Sequence, residues 1–404
     1  MKNEVKSSGM KKFLLFLVVL LNPLLITGCW DRTEINDVAL VTGLGIDKKN
    51  EKTIELTAEM HIPKALGATG GDGSGGNAGA PQTFIRSGEG STITDAISNL
   101  QEKIPREVFW GQTKVIVFGE KLAKEGIRVP LDFLTRHPQP RLRAHMFVAK
   151  GKAKDILVLH PPLERSPSEV LRELAKSEVL MDVTLKELLQ MLSGDAQAAA
   201  IPMVRILPPN EGMEPLQTIA YINQTAIFKK DKMTGQIDDK LTRGVLWIRN
   251  EITQANITVT PKEGKGYVST TMLRANSELI PRIQGGKWKI TIKVVSENDV
   301  MVNGSDLNLM NPKFIQMLQK EIEKDIQHRL DQTLEKVQKD TKVDIFGFSE
   351  QFHRKYPKEW KKAKMNWDKI LPSVDVTLDV KANIRRPGLS TNPQGLPQDE
   401  VKKK

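Results

Sequence analysis

VALVTGLGID, residues 38–47, and TIELTAEMHI, residues 53–62, decide the fold class. The first is a mostly apolar run that ends at glycines, the pattern of a buried strand. The second alternates, with Ile54, Leu56, Ala58, Met60 and Ile62 on one side and Glu55, Thr57, Glu59 and His61 on the other. A period of two predicts a strand with one face in water. Residues 48–52 join the two as a hairpin. On this reading Glu55 and Glu59 are solvated charges on the wet face.

Helices and further strands follow. Ser91 or Thr92 caps a helix with Ile93, Ala96, Ile97, Leu100 and Ile104 on one side. Residues 114–118 and 143–149 read as buried strands. Helical patterns occupy 120–125, 129–136, 153–159, 168–180 and 184–193. Pro202, Pro208, Pro209, Gly212 and Pro215 then break the pattern, which places a boundary near 205–215. Beyond it strands dominate, at 218–228, 244–250, 255–260, 267–283 and 288–295. Gln284-Gly285-Gly286-Lys287 is a hairpin signal between the last two.

Asn311-Pro312 opens a long helix over 312–340. Ile315, Leu318, Ile322, Ile326, Leu330, Leu334 and Val337 recur near the helical period. At 1.5 Å per residue it would be roughly 43 Å long. Asp325–Arg329 and Glu335–Lys339 are spaced to pair on its wet face. The last strand, residues 374–384, alternates Val374, Val376, Leu378, Val380 and Ala382 inward. The predicted class is therefore α+β, a mixed α/β chain of more than one domain, with mixed or antiparallel sheets flanked by helices. Even without its first 28 residues the chain exceeds the roughly 250–300 residues at which single cores divide.

The amino terminus supplies an address. Lys2, Lys6, Lys11 and Lys12 precede the apolar run Phe13 to Leu21, and the run ends at Ile26-Thr27-Gly28-Cys29. A basic start, a short apolar middle and small residues before a cut site make a secretory leader. A spanning helix needs about 20 apolar residues. The cut site resembles a bacterial lipobox, which implies that residues 1–28 are removed. Cys29 would then carry a diacylglyceryl group on sulfur and an acyl group on nitrogen. Two acyl chains anchor stably where one is marginal. Cys29 is the single cysteine of the 404 residues, so the mature chain would have no free thiol and no disulfide.

Net charge is +11, with basic residues scattered rather than interleaved with aromatics. Export and this scatter argue against nucleic acid; a basic body held at a membrane favours anionic headgroups. The six histidines show no metal-ligand spacing, and no HExxH or nucleophile elbow occurs. GDGSGG and a GxGxxG match fall in the Gly-rich stretch 67–82, without the strand-to-helix context that a dinucleotide site requires. That stretch reads as a flexible loop. No catalytic residue, cofactor or metal is assigned. Tyr356, Trp360 and Trp367, interleaved with Lys361, Lys362 and Lys364, are weighed as a partner-contact patch against ordinary core packing.

Three stretches resemble one family. They are GCWDRTEINDVALVTGLGID (28–47), VFWGQTKVIVFGEKLAKEGIRVPLDFLTRHPQPRLRAHMFVAKGKAKDIL (108–157), and DIFGFSEQFHRKYP with the tryptophans and final strand (344–384). The family is Ger(x)C, the C-subunit lipoproteins of nutrient germinant receptors in spore-forming bacteria. The resemblance implies a tethered subunit on the outer face of the spore's inner membrane, beside membrane A and B subunits. It implies packed α/β units on mixed sheets, and no catalytic residue. Trp30, Asp31 and Arg32, next to the lipidated cysteine, are further candidates for partner contact. Ser349 and Gln112 depart from the family pattern, which usually has Gly and His there.

The expected organisation is a leader (1–28), an N-terminal germination-protein region (29–205), a C-terminal germination-protein domain (206–388) and a loose polar tail (389–404). Two other function classes compete. A solute-binding lipoprotein feeding a transporter-like partner would show two doubly wound lobes and a hinge cleft; a wall-lytic enzyme would need a carboxylate pair.

Overall fold

Thirteen strands among the described residues divide between two sheets. The computed structural model describes Phe16 and residues 37–61, 83–388, 393–397 and 399–402. The Gly-rich stretch 67–82 lies outside them.

The first sheet holds β1 (Val38–Asn50), β2 (Thr53–His61), β3 (Thr83–Gly90), β4 (Glu107–Phe109), β5 (Val115–Gly119), β6 (His145–Ala149), β7 (Ala198–Ile206), β8 (Ala220–Lys229) and β9 (Lys232–Asp238). Its order is β3-β2-β1-β5-β6-β7-β8-β9, with β4 beside the start of β1. The centre, β1-β5-β6-β7, runs parallel, and the ends run antiparallel. The loop between β7 and β8 falls where the prolines predict a break. The sheet nevertheless continues across it, because β8 pairs with β7 along nearly its full length.

Helices cover both faces of this sheet, as the parallel centre demands. Ile116, Phe118, Met146 and Val148 face α1 (Ile93–Gln101), α2 (Glu120–Glu125) and α3 (Arg128–Arg136). The alternate residues Val115, Val117, Phe147 and Ala149 face α4 (Ala153–Leu157) and α5 (Pro167–Lys176). α6 (Leu185–Ser193) joins the first of these cores. Of the two cap candidates, Thr92 caps α1, and it forms a full capping box with Asp95.

The expectation of a wet face on β2 fails. Glu55, Thr57 and Glu59 are 6%, 0% and 0% exposed, because α4 and α5 cover that side. β1 also continues through its glycines to Asn50. A Cβ on Gly43 or Gly45 would stand 3.1 Å from Leu157, so these positions let α4 and α5 sit close to the strand.

The chain then forms α7 (Asp239–Ile248), where a strand at 244–250 was expected. Asp238 caps it, accepting from the Leu241 N–H at 2.9 Å. The second sheet runs β10 (Asn256–Val259), β11 (Val268–Gln284), β12 (Lys287–Asn303) and β13 (Asp375–Arg386). β11 and β12 make the predicted hairpin, turning at Gly285 and Gly286 with φ of +57° and +76°. β13 adds in parallel to β12. The long helix α8 (Pro312–Leu334) packs its apolar stripe against α7, β10 and β13, then widens into a π-helical segment, Glu335–Thr341. The Asp325–Arg329 pair forms at 2.6 Å, while the pair in the wide segment is Lys336–Asp340 at 3.1 Å rather than Glu335–Lys339. The described part of the tail is not loose: Lys402 N–H donates to Asp306 O at 2.8 Å and Asn308 N–H to Lys402 O at 3.0 Å.

α7 and α8 cross at Gly244. A Cβ there would lie 1.9 Å from Thr333 Oγ1 and 2.7 Å from Thr333 Cβ. Gly244→Ala is therefore expected to destabilise the chain by about 1–3 kcal/mol through overpacking. Urea unfolding checks this, and an unchanged midpoint contradicts the close crossing.

Candidate functional site

The residues singled out at the amino terminus, Cys29, Trp30, Asp31 and Arg32, lie outside the described residues. The aromatic candidates are all placed. DIFGFS, residues 344–349, opens α9 (Phe348–Lys355), which is followed by α10 (Pro357–Ala363) and α11 (Trp367–Ile370). Asp344 starts the turn. Its carboxylate accepts from the N–H groups of Gly347 (3.1 Å), Phe348 (3.1 Å) and Ser349 (2.7 Å), so a buried anion stands at the helix start. Gly347 at φ +84° makes the turn possible.

Trp360 and Trp367 are 1% and 2% exposed, and Tyr356 is half-buried against the same core. The indoles meet at 5.0 Å, edge to face, and Phe352 and Trp288 complete the cluster. This corrects the outward patch: the basic residues beside the tryptophans face water while the rings face in. The core alternative is the arrangement the chain adopts.

What the cluster does is join two halves of the molecule, the first sheet with its helices and the second sheet with its helices. Trp367 Nε1 donates to Asp344 at 2.9 Å. Trp360 Nε1 donates at 3.2 Å to Asp195, in the turn before β7, and His353 Nδ1 lies 2.5 Å from the same carboxylate. Lys229 on β8 reaches Asp368 at 2.5 Å. Asp195 carries no local signal, because its partners lie 158 and 165 residues away.

Beside this joint lies a groove of about 490 Å3, lined by α6, the end of α7, β11 and residues 344–351. A second hollow of about 470 Å3 adjoins it through Gln190, Met191, Arg249 and Glu251. Arg249 and Glu251 pair within it at 2.8 Å. Burial, reinforced by the charge of Asp344, pushes the Glu350 carboxyl above its ordinary value. Ser277 Oγ is buried there without a partner. The lining carries both signs and several donors, so it suits polar side chains or a small polar molecule. Among the described residues, no group of three or more His, Cys, Asp or Glu side chains could hold a metal ion.

A second buried polar constellation holds the opposite edge. Asp47 caps α4, accepting from Ala153 N (2.8 Å) and Lys154 N (2.9 Å), and Glu55 pairs with Lys154 at 2.6 Å. Glu59 accepts from Ser168 N (3.0 Å), Ser168 Oγ (2.8 Å) and Thr42 Oγ1 (3.1 Å) at the start of α5. Burial raises the Asp47 and Glu59 carboxyls despite these bonds. Each acid is spent on a helix end, a structural use of carboxylates rather than a reactive pair.

Comparison with known proteins places this architecture. Residues 31–206 match the spore germination protein N-terminal domain, and residues 223–388 match the spore germination B3/GerAC-like C-terminal domain. Spore germination protein KC of Bacillus subtilis (strain 168) is 29% identical, covering 95% of this chain and 98% of that protein. The putative spore germination protein YfkR of the same strain is 30% identical, covering 87% and 91%. The crystal structure of the GerBC protein superposes with a TM-score of 0.55 at 19% identity, covering 85% of this chain and 97% of that one. The fold is therefore the mixed two-sheet α+β architecture of GerBC, and the chain belongs to the Ger(x)C family of spore germination proteins, matched over Asp31–Ile206 and Asn223–Gly388 by its two domain models.

Proposed function

We infer that this chain is the lipid-anchored C subunit of a nutrient germinant receptor and acts by binding, as a scaffold for membrane A and B subunits. The observation that carries the reading is Ile26-Thr27-Gly28-Cys29 at the end of a basic, apolar leader, directly before the family-matched region. In this reading residues 1–28 are removed, and Cys29 holds a body of two regions, 29–205 and 206–388, on the outer face of the spore's inner membrane. No helix among the described residues is long and apolar enough to cross a membrane. Tethering by two acyl chains confines the body to two dimensions and raises its effective concentration beside membrane partners. The aromatic joint supports the scaffold role, because it holds the two halves in one fixed relation.

Cys29→Ala tests this. The variant is expected in the soluble fraction of spore lysates, without A and B subunits when it is purified, and spores carrying it are expected to lose the nutrient response. Full germination supported by an unlipidated, soluble form contradicts the reading.

A further inference from the structure

We propose that the cleft at the amino-terminal ends of β5 and β6 is a phosphate-binding site. Its walls are Lys114, Arg141, Arg143, His145, Arg172 and Lys176, with Gln112 and Thr113 completing a cavity of about 320 Å3. Not one carboxylate lines it. The acids nearby hold the cations from outside. Glu169 pairs with Lys114 at 3.3 Å, Glu173 with Arg172 at 2.5 Å and Lys176 at 3.7 Å, and Asp182 lies 2.7 Å from His145 Nδ1. Arg141 and Arg143 make no ion pair among the described residues, so five lysine and arginine side chains line a cleft with only three acids standing behind its walls.

Two further observations separate it from an ordinary basic surface. Arg172 Nε is buried and has no hydrogen-bond partner. A buried donor left unmade is unfavourable, and a small movement of the Arg172 side chain would offer it to an oxyanion in the cleft. The walls are also fixed in advance. Lys114 N–H donates to Thr42 O (2.8 Å) and His145 N–H to Lys114 O (2.9 Å), which locks both residues into the parallel ladder. Ala144 N–H closes a turn on Arg141 O at 3.1 Å, setting the arginine pair beside them. Guanidinium forks match phosphate oxygens in geometry and keep their charge at any physiological pH. The cavity has room for a phosphoryl group with a substituent. Two sources share that chemistry, a free phosphate compound and a glycerophospholipid headgroup.

The test uses the full chain in zwitterionic detergent at constant ionic strength. Inorganic phosphate is titrated by calorimetry in one arm and short-chain phosphatidylglycerol in the other, with phosphatidylcholine as the headgroup control. Saturable binding of phosphate assigns the site to soluble phosphates; saturable binding of phosphatidylglycerol alone assigns it to the headgroup. Arg141→Gln with Arg143→Gln is expected to weaken the binding about tenfold or more, since charge-assisted bonds are removed. Lys289→Gln, on the second sheet, is expected to leave it unchanged. Arg172→Gln adds the buried donor, and the arginine pair carries the test if that variant does not fold. Absence of saturation in both arms, or binding unchanged in the double variant, overturns the proposal.

Discussion

Glu59→Leu is expected to cost the folded chain about 3 kcal/mol, measured by urea unfolding, since buried donors left unpaired cost about 1–3 kcal/mol each. The loss falls on Ser168 N–H above all. α5 begins with Ser166 as cap and Pro167, which has no N–H, so Ser168 and Glu169 are the first donors that need partners. Ser166 Oγ serves Glu169 at 3.3 Å, and Glu59 serves Ser168. The Thr42 and Ser168 hydroxyls can turn toward other oxygens, at Glu59 O (3.4 Å) and Ser166 Oγ (3.0 Å), whereas the backbone N–H cannot. A loss below about 1 kcal/mol, less than one typical hydrogen bond, would contradict this anchoring of α5.

The same residue gives stability a pH dependence. Burial raises its folded-state pKa above the ordinary carboxylate value, as it also does for Asp47 and Glu350. Below that ordinary value both folded and unfolded chains hold the proton, and the full stability is present. As pH rises through it, the unfolded chain releases its proton first, so stability falls until the folded chain releases its own. Glu59→Gln is expected to flatten that fall at pH values above the ordinary carboxylate range. Identical slopes in the two proteins would mean that Glu59 is ionised in the fold at no cost.

Trp360→Ala is expected to cost about 3–5 kcal/mol, the range for truncating a large buried aromatic. It removes the contact with Trp367 at 5.0 Å and the indole bond to Asp195. Because Asp195 precedes β7 while Trp360 belongs to α10, the variant loosens the joint between the two halves. Asp195→Asn, which keeps the ring packing and an acceptor oxygen for Trp360 but replaces the oxygen that meets His353, is expected to lose only about 1 kcal/mol, the net worth of one hydrogen bond. Equal losses in the two variants would show that the packing contributes little, and would remove the joint from the scaffold account.

Local periodicity made much of this architecture legible. β2, β13 and the stripe of α8 follow from spacing, the β11–β12 hairpin from its Gly-Gly turn although β12 runs to Asn303, beyond the expected 295, and the start of α1 from its Ser-Thr pair. Three misreadings have physical causes. Val245-Leu246-Trp247-Ile248 is too short an apolar run to separate strand from helix by period; the cap at Asp238 was the available signal. Glu55 and Glu59 looked solvated because the helices that cover them lie about 100–110 residues further on, beyond any local pattern. The tryptophans looked like a patch because lysines flank them, yet adjacent helical positions point in different directions. The basic cleft is assembled from β5, β6, the turn before β6 and α5, so its charges read as scattered along the sequence.

The tether remains the claim on which the address and the partners depend. Intact-mass measurement of the mature chain extracted from spore membranes tests it most directly. The account predicts a chain that begins at Cys29 and carries a diacylglyceryl group on its sulfur and an acyl group on its nitrogen. A membrane-extracted chain with the leader retained, or with Cys29 unmodified, would contradict it.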